Sequence, residues 1–177
     1  MTHEILFAGF GGQGILFSGK FVAYDALLRD KEVSWLPSYG PEMRGGTASC
    51  SVIVSDTPVG SPIISNPTVL VAMNLPSLDR YEAAVVKGGS IFVDSTLIAR
   101  KVVRDDVNAY YIPSTQLASD MELAGLANMI MLGFMINKTG IMTLEQAKKT
   151  VEKVVPAKKQ NMLEFNNRAI ELGWNYK

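Results

Sequence analysis

Glycine spacing is the first feature of this chain that could do chemistry. In FAGFGGQGIL (7–16), Gly9, Gly11 and Gly14 fit G-x-G-x-x-G between a short apolar run and a helix-like one, with Gly12 and Gln13 completing the turn. That context lets a backbone come close to a diphosphate. Unpaired N–H groups and the positive end of a helix would together favour a phosphate, a pyrophosphate or a carboxylate. A dinucleotide reader also needs an acidic residue roughly 20 positions further on, at the end of the second strand. Here that strand reads as ending in Trp35-Leu36-Pro37-Ser38, while Asp30 and Glu32 lie at its beginning. The turn lacks its ribose acid, so a stand-alone NAD or FAD oxidoreductase and a purely structural turn both stay open as alternatives.

A second polar loop follows, SYGPEMRGGTAS (38–49), with Tyr39, Glu42 and Arg44 set among glycines that include Gly45 and Gly46. It leaves the sheet where open α/β proteins place their sites. Arg44 could grip a carboxylate or phosphate through two parallel hydrogen bonds, or pair with Glu42; the residue types allow both.

The rest of the chemistry is bounded by what is scarce. Among 177 residues there is one cysteine, Cys50, and one histidine, His3. The chain can form no internal disulfide, supplies no thiolate set for zinc or an iron–sulfur cluster, and offers no convincing nucleophile–histidine pair. Seventeen basic residues balance seventeen acidic ones, which gives no bulk attraction to nucleic acid or to an anionic membrane. The most apolar segment, 123–136, is short of the roughly 20 residues needed to span a bilayer and carries Asn128, so it reads as a buried helix. With no signal-like start, a cytoplasmic location is expected.

These elements must be positioned by a scaffold. Short apolar runs at 4–8, 32–36, 48–55, 68–73, 90–94 and 109–112 alternate with helix-like stretches, which predicts a Rossmann-like α/β fold with an open, mostly parallel sheet and helices on both faces. The run within 44–58 has no room for a helix before it, so a local β-excursion is expected there. From residue 114 the pattern turns helical, and the chain is read as one domain, 1–177, with a helical tail over 114–177. Thr143 and Gln146 form a T-x-x-Q capping box. Pro156 ends that helix, and a stripe of Met162, Phe165, Ala169 and Leu172 is closed by Gly173. In the first helix, Ile15, Leu16, Gly19, Val22, Ala23, Ala26 and Leu27 form the expected core face. Phe17, Phe21, Tyr24 and Leu28 form a second stripe, to be covered by the tail or by another subunit, with self-association as one outcome.

GFGGQGI (9–15), YGPEMRGG (39–46) and KGGSIFVDS (87–95), continued by NMIMLG (128–133) and NNRAIELG (166–173), resemble the gamma subunit of 2-oxoacid:ferredoxin oxidoreductases, and within that family the 2-oxoglutarate enzyme most. The resemblance implies a non-catalytic subunit of a complex that decarboxylates a 2-oxoacid, transfers the acyl group to coenzyme A and passes electrons to ferredoxin. It implies alpha and beta partners, with a delta subunit left open, and places thiamin diphosphate, Mg and an iron–sulfur cluster in partner subunits and none in this chain. Gly9, Gly11, Gly12, Gln13 and Gly14, together with Tyr39, Glu42, Arg44, Gly45 and Gly46, are then expected to form ligand or subunit-boundary loops at one sheet edge, with Gln13 at the centre. Ser38, Asn74, Asp94 and Ser95 mark the neighbouring strand ends.

Overall fold

The computed structural model describes residues 1–38 and 47–177. Its six strands are β1 (Thr2–Phe10), β2 (Glu32–Ser38), β3 (Thr47–Ser55), β4 (Val69–Ala72), β5 (Ser90–Asp94) and β6 (Asn108–Ile112), in the sheet order β2-β3-β1-β4-β5-β6. β1, β4, β5 and β6 pair in parallel, whereas β3 runs antiparallel to both β1 and β2. This is the expected excursion. A parallel crossover takes a dozen or more residues, so the eight-residue link between β2 and β3 can return the chain only in the opposite direction.

Among the described residues six α-helices accompany the sheet: α1 (Ile15–Leu28), α2 (Leu75–Tyr81), α3 (Ser114–Asp120), α4 (Ala127–Thr139), α5 (Leu144–Val154) and α6 (Met162–Trp174). Helices lie on both faces, as the alternation predicts, but unevenly. The larger core joins α1, α4, α5 and α6 to one face through Phe7, Phe21, Val52, Phe92, Ile130 and Phe134. On the other face α2 covers a smaller cluster around Leu6, Leu70, Leu78 and Ile91. Among the described residues no helix is long and apolar enough to cross a membrane.

The faces of α1 differ from the helical-wheel reading. Phe21, expected on the outer stripe, is fully buried, and Leu27, expected in the core, is 56% exposed. The cause is that α1 is covered twice, by the sheet on one side and by α4 and α5 on another. Phe17 is half-buried against the same core, while Tyr24 and Leu28 remain outside. The tail therefore covers half of the stripe. Between the helices, buried Asp25 on α1 accepts from Thr150 Oγ1 on α5 at 3.2 Å and from Arg29 Nε at 2.8 Å.

The capping box of α5 forms as expected, with Gln146 N–H donating to Thr143 Oγ1 and Thr143 N–H to Gln146 Oε1. Gly173 does not close α6. It lies inside the helix, where a Cβ would stand 1.8 Å from the Ile130 carbonyl oxygen, and at Gly133 a Cβ would stand 2.0 Å from that of Ile170. The two glycines let α4 and α6 cross backbone to backbone. Phe165, expected on the buried stripe, is 37% exposed. Gly173→Ala is expected to destabilise the chain by about 3 kcal/mol, since a methyl group cannot displace backbone. Gly60→Ala, where a Cβ meets nothing, should leave the urea midpoint unchanged.

Candidate functional site

The glycine turn sits between the end of β1 and the start of α1, and its shape is set by one side chain. Gln13 turns back under the loop: its Oε1 accepts from Phe10 N–H at 2.6 Å, and its Nε2 donates to the Met73 carbonyl at 3.0 Å, beyond the end of β4. A Cβ at Gly9 would stand 2.5 Å from that Oε1 and 2.9 Å from Met73 Cβ, so only glycine admits the arrangement. Gly14 is the N-cap of α1, with φ 75° in the left-handed region. A Cβ there would reach within 2.4 Å of Asn128 Nδ2, which itself donates to the Gly14 carbonyl at 3.4 Å.

Among the described residues no side chain caps α1, and its first turn carries no acid. The free N–H groups and the helix dipole make the turn electropositive. Gly11 and Gly12 are exposed. Gly12 joins two clefts, one of about 340 Å³ lined by Gln13, Met73, Leu97, Thr115 and Ala118, the other of about 300 Å³ lined by Phe10, Leu16, Phe17 and Ala48.

The polar residues at the neighbouring strand ends are engaged internally. Asn74 caps α2, its Oδ1 accepting from Ser77 N–H at 2.9 Å. Asp94, fully buried, accepts from Thr96 N–H at 3.0 Å and from Thr115 Oγ1 at 2.5 Å. Tyr39, Glu42, Arg44, Gly45 and Gly46 lie outside the described residues. Sequence reasoning overlooked Asn128 and Thr115 as parts of this edge. A signal for the first was present, because an amide inside the apolar run 123–136 needs a partner in the fold.

The placement of β2 bears on the dinucleotide alternative. β3 stands between β1 and β2, so the end of β2 is two strand spacings from the turn, roughly 10 Å. The strand also ends in Ser38 rather than an acid. The single histidine and the single cysteine do not serve the turn. His3 is at the opposite end of β1, and its pKa is lowered by burial and then by the N-terminal amine and Arg29. Cys50 is fully buried, and burial pushes its thiol from 9.0 up to about 12 against a hydrogen bond from Trp35.

This is an open, mostly parallel α/β domain with an antiparallel insertion beside β1 and a glycine turn held by internal hydrogen bonds. The sequence profile described as "Pyruvate ferredoxin/flavodoxin oxidoreductase" matches residues 4–176, and the chain belongs to that family. A ketoisovalerate oxidoreductase subunit of Methanothermobacter thermautotrophicus is 40% identical over 172 residues, covering 96% of this chain and 35% of the relative. A 2-oxoglutarate synthase subunit of Methanocaldococcus jannaschii is 37% identical, covering 94% of this chain and 91% of the relative. The crystal structure of a keto/oxoacid ferredoxin oxidoreductase gamma subunit from Geobacter sulfurreducens superposes with a TM-score of 0.84 at 31% identity, over 98% of this chain and 95% of that one. The 2-oxoglutarate:ferredoxin oxidoreductase from Magnetococcus marinus, solved with 2-oxoglutarate, coenzyme A and succinyl-CoA bound, gives a TM-score of 0.88 at 25% identity, over 98% of this chain and 30% of that one. The chain thus spans about a third of the length of the ketoisovalerate and Magnetococcus relatives.

Two outcomes follow from the geometry. Gln13→Ala leaves the Phe10 N–H and Met73 carbonyl without their partner, so it should lower stability by about 2 kcal/mol, read as a fall in urea midpoint. For Cys50 the unfolded thiol ionises above about pH 9 while the folded one keeps its proton to about 12. Stability must therefore fall across that window, by up to about 1.4 kcal/mol per pH unit. In Cys50→Ala the urea midpoint should decline less between these limits than in the native chain.

Proposed function

We propose that this chain is the gamma-type subunit of a 2-oxoacid:ferredoxin oxidoreductase, acting as one domain over 1–177 in a cytoplasmic complex with alpha and beta subunits. The oxoacid we assign is 2-oxoglutarate. The observation that carries the reading is a glycine turn whose only centrally placed side chain is spent on the turn itself, so the exposed part offers backbone donors and no reacting group. Such a surface suits binding and docking. It does not suit bond-breaking.

The complex would convert the oxoacid to its acyl-CoA and pass electrons to ferredoxin, with thiamin diphosphate, Mg and iron–sulfur chemistry supplied by the partners. Among the described residues no three His, Cys, Asp or Glu side chains converge, and the single thiol is buried and protonated at neutral pH. The residues that hold those groups belong, in this reading, to the partners. In this reading Gly11, Gly12 and the start of α1, joined by Tyr39, Glu42, Arg44, Gly45 and Gly46, face the catalytic subunits. The N–H groups of the helix start and the Arg44 guanidinium would then hold phosphates of coenzyme A, by charge-assisted hydrogen bonds.

Mass spectrometry of what co-purifies from the native source tests the assembly: a thiamin-binding and a cluster-binding protein are expected, and their absence overturns it. In the assembled complex, Arg44→Ala should raise the KM for coenzyme A about tenfold, the loss expected for one charged hydrogen bond, with less effect on the KM for the oxoacid. An unchanged coenzyme A dependence removes Arg44 from that site.

A further inference from the structure

We draw no further inference here: the strongest candidate, the outer edge of β2 with Trp35 and Leu36 exposed beside Tyr24, Leu27 and Leu28 of α1, is an unpartnered apolar surface, and nothing in the structure shows what covers it.

Discussion

The two hydrogen bonds of the Gln13 carboxamide are the constraint on which the site depends. One ties the turn to Phe10 at the end of β1, and the other ties it to Met73 beyond β4. Two parallel strands and a helix start are thereby locked at one point, and Gly9 must be glycine to let the amide pass. The lock propagates. With the turn fixed, Gly14 presents its carbonyl to Asn128, which places the first turn of α4, and α4 in turn meets α6 through the facing Gly133 and Gly173. Packing then continues through Phe92, Tyr110, Phe134 and Tyr176, where Phe92 and Tyr110 stack at 4.9 Å and Tyr176 meets Phe134 edge-on at 5.7 Å. The helical tail is thus bound into the sheet, and a disturbance at the turn has a continuous path into the core.

Much of the scaffold was legible because it rests on local signals. Strand runs bounded by turn residues located all six strands, β5 to the residue, and the short link before β3 marked a departure from the alternation, whose antiparallel direction the structure supplies. The capping box at Thr143 is written in four residues and forms as written. What local periodicity could not tell was how many sides of a helix would be covered. A wheel drawn for α1 assumes one buried face, and the burial of Phe21 and Asp25 alongside Val22 and Ala26 follows from a second layer that only the folded tail supplies. Gly173 misled for a related reason: glycine after a hydrophobic stripe reads as a stop, but a close helix crossing demands the same residue.

The glycine turn was legible in position and less so in the work of its side chains. The G-x-G-x-x-G spacing correctly located a strand, turn and helix start, and the missing acid already weakened the dinucleotide alternative. The direction of Gln13 could not be read, because its partners at Phe10 and Met73 are set by tertiary structure, and a glutamine in a loop looks equally suited to a ligand. The same holds for Asp94, whose carboxylate at a strand end resembles a catalytic group until Thr96 and Thr115 are seen to occupy it. Side chains at strand ends advertise chemistry in a sequence, and here several of them serve turns and caps.

The antiparallel strand β3 separates this turn from the strand arrangement of a dinucleotide site. In a dinucleotide fold the second strand lies beside the first, and its terminal acid reaches the ribose while the phosphates rest on the turn. Inserting β3 moves β2 outward by one strand spacing, about 4.8 Å, and removes that division of labour. The place once open to an acid beside β1 is now occupied by β3, whose first residues Thr47 and Ala48 pair with Phe10 and Gly9 and whose Ala48 lines the cleft at the turn. The insertion also puts residues 39–46 directly before that position in the chain. The free N–H groups of the helix start remain, so the turn offers donors to an anionic group, while β2, two strands away, ends in Ser38 rather than in a ribose-binding acid.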